Sequence, residues 1–204
     1  MLNYIILGIT YGFIAGVQPG PLQTYIISQT IRRGWKSTLP AAFAPIISDI
    51  PIFMLIIFLL TTIPENFIIA LRILGGLFLI YLSYSTYKSW KNFDAEEKLK
   101  EPNIQQSLLN AVVVNILNPN PYLGWSLVLG PLFIEAWNAA PSQGISLIIS
   151  FYLSIIFFLA ITIIVFAFTR KLGPKISKIL FGLSVLVLLG FGIFQLWIGI
   201  GLIL

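Results

Sequence analysis

Two Pro-X-Pro motifs, Pro19-Gly20-Pro21 and Pro119-Asn120-Pro121, stand where chemistry is most expected. Each follows an amide, Gln18 or Asn118, and each lies inside a long uncharged apolar segment. Proline removes a backbone donor and clashes with the preceding turn, so both segments are expected to break there. A helix that resumes after a break offers free N–H groups and the positive end of its dipole. The half that stops leaves free carbonyls. Two such breaks facing each other could hold a zwitterion, carboxylate at an N-terminal end and ammonium at the carbonyls. Gln18, Gln23, Asn115, Asn118 and Asn120 could add amide hydrogen bonds, and Tyr122 and Trp125 could line the same space. The competing role for these side chains is ordinary helix packing, or, for the aromatics, an interfacial position.

Asp49, in Ile47-Ser48-Asp49-Ile50-Pro51, is the one ionisable residue deep in an apolar segment. Aspartate at a helix centre costs about 2.5–3.5 kcal/mol on insertion scales. Removal from water favours the neutral carboxyl, which makes Asp49 a candidate proton site or cation counter-ion. Its structural alternative is satisfaction by Ser48, by backbone freed near Pro45 and Pro51, or by a neighbouring helix. Arg72 has two readings: it snorkels to the outer headgroups, or it faces the pore and binds a carboxylate or pairs with Glu65. Gly8, Gly12, Gly16 and Gly20 recur every four residues, which suits close helix packing. Gly190, Gly192, Gly199 and Gly201 are expected to pack within the fold or between subunits.

These residues sit in a chain that is 58% hydrophobic and only 9% charged over 204 residues. Soluble domains carry about 25% charge, and a chain this short cannot hide so much apolar surface in a soluble core. The class is an all-α polytopic membrane protein. Six spans are expected, at about 3–29, 39–60, 66–87, 105–133, 145–168 and 179–204. Met1-Leu2-Asn3-Tyr4 lacks the charged start of a signal peptide, so the first span is expected to persist. No cysteine or histidine occurs, so thiol chemistry and the usual soft-metal and haem ligands are excluded. No cofactor or metal is expected. No basic stripe indicates nucleic acid.

The charges set the topology. Arg32, Arg33 and Lys36 lie in the first connector. The third carries Lys88, Lys91, Lys98 and Lys100 among Asp94, Glu96, Glu97 and Glu101. The fifth has Arg170, Lys171, Lys175 and Lys178. Connectors two and four hold Glu65 and Glu135 and no lysine. The positive-inside rule places the odd connectors in the cytoplasm and both termini outside. Residues 1–88 and 105–204 then form two three-span repeats of opposite orientation, joined by a charged connector at 89–104. The first span of each repeat carries the Pro-X-Pro break, an arrangement known from secondary transporters.

Gly16-Val17-Gln18-Pro19-Gly20-Pro21 resembles the Gly-x-x-Pro-Gly-Pro signature of the lysine exporter (LysE) family, with its homoserine/threonine (RhtB) branch. Asp49 corresponds to the family's Gly-Asp, Asn118-Pro119 to its Asn-Pro, and the stretch from Leu71 to Leu82 resembles its third span. Ser48, Pro45 and Asn120-Pro121 depart from the family pattern. The resemblance implies export of an amino acid or related small zwitterionic or cationic solute, coupled to protons or the membrane potential, across the cell membrane. It also implies a site at Pro19, Gly20, Pro21, Asp49, Asn118 and Pro119. The expected partners are this solute, the lipid bilayer and a second copy in a dimer, and no enzyme activity is expected. A metal-cation exporter is the alternative. One buried carboxylate gives it few of the oxygen ligands that hard cations need. A membrane enzyme acting on lipid ranks below both, for want of a paired acid and base.

Overall fold

A computed structural model describes residues 1–59, 65–91, 104–168 and 174–202. Every described element is helical: α1 (Leu2–Val17), α2 (Pro21–Arg33), α3 (Trp35–Thr38), a 3-10 turn (Leu39–Phe43), α4 (Ala44–Leu59) and α5 (Glu65–Lys91). There follow α6 (Ile104–Ile116), α7 (Pro119–Gly124), a π turn (Trp125–Leu129), α8 (Gly130–Ala139), α9 (Pro141–Phe168) and α10 (Pro174–Gly201). Asp94, Glu96, Glu97, Lys98, Lys100, Glu101, Arg170 and Lys171 lie outside the described residues.

Local sequence explains most boundaries. Proline occupies the first position of α2 and α7, where its missing N–H costs nothing. Arg32 and Arg33 fill the last turn of α2, where cations favour the dipole. Gly34 then takes a left-handed φ of 83°, which glycine adopts without a Cβ clash. Within the π turn Gly130 donates to Trp125, five residues back. Pro131 has no N–H for the carbonyl of Leu127, and a widened turn accommodates that defect.

Among the described residues, four helices are long and apolar enough to cross a membrane, or five if α1 and α2, bent by 60°, count as one. The segment expected as a single fourth span is divided among α6, α7, the π turn and α8, and α6 alone is a short apolar helix. Pro51 is carried inside α4.

Two helix pairs, α1 with α9 and α5 with α10, organise the bundle. α1 runs parallel to α9, with Gly8, Gly12 and Gly16 against Ser150, Ser154 and Phe158. A Cβ at Gly8 or Gly12 would strike the backbone carbonyl of Leu147 or Phe151, so Gly8, Gly12 and Gly16 pack as expected, whereas Gly20 lies in the break after α1, where a Cβ would meet Gln18 and Gln23 rather than a neighbouring helix. Ser154 completes the seam by donating to the Ile9 carbonyl at 2.8 Å. α5 lies antiparallel to α10, with Gly76 against Gly192 and Gly199 against Arg72 and Ile73. Gly190 and Gly201 meet open space. α4 packs on α6. The buried core between these pairs includes Tyr25, Ile26, Ile52, Leu147 and Leu188.

Candidate functional site

The first interruption is built by missing donors. Gln18 N–H reaches the Ile14 carbonyl at 2.9 Å and ends α1. The next donor would be residue 19, which is proline, so the Ala15 carbonyl loses its helical partner. Gln23 supplies a substitute: its Nε2 donates to that carbonyl at 2.7 Å from across the bend. Gly20, extended, precedes α2, which has no side-chain cap. The first-turn N–H groups of α2 therefore face the break without a side-chain acceptor.

The second interruption closes on itself. α6 stops at Ile116, and the Asn118 side chain accepts from the Asn120 N–H at 3.1 Å. Pro119 and Pro121 have no N–H to offer. The free N–H groups expected at both breaks are thus confined to the first. At the second, two prolines and an asparagine cap remove them, and amide side chains remain.

Asp49 lies between the two interruptions, 4% exposed. Its Oδ1 accepts from Asn115 Nδ2 at 3.2 Å and from Ser48 at 3.4 Å; Asn115 also donates to Ser48 Oγ at 2.7 Å. Its Oδ2 accepts from Trp125 Nε1 at 3.2 Å and from the Tyr152 hydroxyl at 3.3 Å. α4, α6, the π turn and α9 converge on this carboxyl, and all four partners are uncharged. Neutral dipoles can hold a buried carboxylate, but they leave it without a counter-charge.

One cavity of about 320 Å³ joins these parts. Gln18, Pro19, Gly20 and Gln23 border it from the first interruption, and Asn115, Asn118, Asn120 and Pro121 from the second. Asp49 and Trp125 border it too. Pro21 and Pro119 are absent from its lining; both open helices, and Pro21 faces a much smaller space beside Gly75 and Gln195. Tyr122 is also outside it and packs edge-on to Phe67 at 5.4 Å. Arg72 lies elsewhere: its Nη1 donates to Gln195 on α10 at 2.9 Å, and its Nε has no partner among the described residues. The suggested partner Glu65 has a side chain outside the described set.

Tyr152 and Tyr11 join the site without having been singled out in the sequence. Tyr152 is the signal that was available, a hydroxyl in an apolar span, but only the fold brings it to Asp49. Among the described residues no three His, Cys, Asp or Glu side chains group as a metal site.

Long apolar helices around a cavity that sets amides and a buried carboxyl in a mostly apolar wall fit a multi-pass membrane protein. The family model for LysE type translocators matches residues 13–198 of the chain. The chain belongs to that family, and so is a membrane exporter of a small solute. No match was found among curated proteins or among solved structures.

Proposed function

We propose that the chain is a secondary active exporter of amino acids or related small zwitterionic or cationic metabolites. The observation that carries this reading is that one cavity borders both Pro-X-Pro motifs and Asp49. The uncapped start of α2 suits a carboxylate. Asp49 and the amide oxygens around it suit an ammonium. Asp49 is the coupling group: it takes a proton when the cation leaves and releases it when the next cation binds. Transport is then driven by protons or by the membrane potential.

Alternating access rocks one three-span repeat against the other. The helix pairing supports this. A two-fold axis relating spans one to three with spans four to six exchanges the pair α1–α9 with the pair α6–α4, and returns α5–α10 to itself. α6, α7, the π turn and α8 together make the fourth span in this reading. The repeats are residues 1–88 and 105–204, both termini are outside the cell membrane, and the working unit is a dimer. A metal cation is less favoured, because the cavity offers a single carboxylate among neutral donors.

Proteoliposome flux of candidate amino acids, across pH, tests the reading. Asp49→Asn is expected to abolish coupled flux or to remove its pH dependence. Unchanged flux with an unchanged pH profile would end the coupling role. Gln18→Ala and Asn118→Ala are expected to weaken solute binding; wild-type affinities in both would take the two amides out of the site.

A further inference from the structure

Asp49 has a second side. A separate cavity, also about 320 Å³, lies between α4, α8 and α9, and its lining shares only Asp49 and Trp125 with the first. Its wall is a succession of rings. Trp125, Phe53, Phe133 and Trp137 meet in turn at centroid separations of 4.9, 5.3 and 5.5 Å. Tyr152 adds a fifth ring and turns its hydroxyl onto Asp49 Oδ2, the oxygen that also receives Trp125. Isoleucines complete the lining.

Aromatic clusters commonly fill a core, but a core cluster leaves no room, and here the rings line a half-open groove large enough for a small ligand. A purely apolar groove would suit a lipid tail. This one ends on a carboxyl whose hydrogen-bond partners are all neutral. A hydrocarbon tail brings such a carboxylate nothing, whereas a cation brings the missing counter-charge. Ring faces attract desolvated cations through their quadrupoles, most effectively for weakly hydrated organic ammonium groups.

We propose that the aromatic cavity is a second binding site, for an organic ammonium bearing apolar substituents, with Asp49 as counter-ion and Trp125 and Trp137 as ring contacts. Asp49 and Trp125 form the partition between the two cavities. A cation passing from one to the other exchanges amide and backbone contacts for ring contacts without leaving the same carboxylate. The inference deepens the transport reading and rests on it for the passage between cavities; occupancy of the aromatic site can be read without transport.

The test is equilibrium binding of labelled tetraethylammonium to the purified full-length protein in detergent. Saturable binding is expected, displaced by unlabelled tetraethylammonium and not by its neutral carbon isostere, 3,3-diethylpentane. Trp137→Leu is expected to lower affinity about tenfold, or ~1.4 kcal/mol, and Trp137→Phe to restore part of it. Trp137 is 44% exposed, so its replacement should leave the fold intact; Phe133→Leu is the independent second variant. Absence of saturable binding, equal displacement by the isostere, or wild-type affinity in both leucine variants would overturn the site. Proteoliposomes that move no amino acid, made from protein that still binds tetraethylammonium, would end the amino-acid reading and leave this site standing. Amino-acid flux without tetraethylammonium binding would end this site alone.

Discussion

At the first interruption a glutamine on α2 reaches back across the bend to the Ala15 carbonyl, and the start of α2 has no side-chain cap. At the second, Asn118 caps α7 from its own side, and two prolines leave few N–H groups to satisfy. The same Pro-X-Pro spelling thus gives one interruption stapled on its carbonyl side and open on its N–H side, and another closed on its N–H side. The difference comes from which proline opens the helix. α2 starts at the second proline, Pro21, so its N-cap is Gly20, which has no side chain to cap with. α7 starts at the first, Pro119, so its N-cap is Asn118, whose side chain accepts the Asn120 N–H. Repeated motifs can therefore divide a task, with the dipole end available at one and amide side chains at the other.

Substitutions can break this contrast. The largest effect is expected from Gln23→Leu, which orphans the Ala15 carbonyl and should cost about 1–3 kcal/mol, read as a lowered unfolding midpoint in detergent. An unchanged midpoint would mean that the first interruption needs no staple. Asn118→Ala should cost about 1 kcal/mol through the lost cap, while Asn118→Ser keeps a capping acceptor without adding a charge and should unfold near wild type. If both variants fall equally, the cap is not what Asn118 supplies. Gln18→Ala should cost less than about 0.5 kcal/mol, since Gln18 is exposed, so any loss in solute affinity would report on the cavity alone. Pro119→Ala is expected to be the mildest, within about 0.5 kcal/mol, because the first helical position does not need proline. A large thermal shift there would show that the missing N–H matters to the second interruption.

Much of this site could be read along the chain, because its components are local exceptions. Proline pairs interrupt apolar runs, Asp49 is the lone carboxyl deep in one of them, and the amides lie within a few residues of the prolines. The pairings between elements could not be read. Gln23 reaches Ala15 only because α1 and α2 bend by 60°, and no periodicity encodes that angle. Tyr152 meets Asp49 from 103 positions away. Arg72 offered snorkelling, a pore contact and a Glu65 pair; its observed partner, Gln195, belongs to a helix more than a hundred residues later. The fourth apolar segment is expected to break at Pro119-Asn120-Pro121, but its further interruption at the π turn is not legible, because that turn depends on where the Pro131 defect is absorbed and hydropathy does not report it.

The parallel seam between α1 and α9 has a consequence for how the chain is made. The glycine face of α1 fits the backbone of a helix that emerges from the ribosome about 140 residues later. Until then that face has only lipid or the insertion machinery to lie against. α1 is thus long without its permanent neighbour, and its docking waits on synthesis of α9. Nascent chains halted before Pro141 are expected to leave α1 open to crosslinking by membrane insertases, and chains extended past Phe168 are expected to lose those crosslinks.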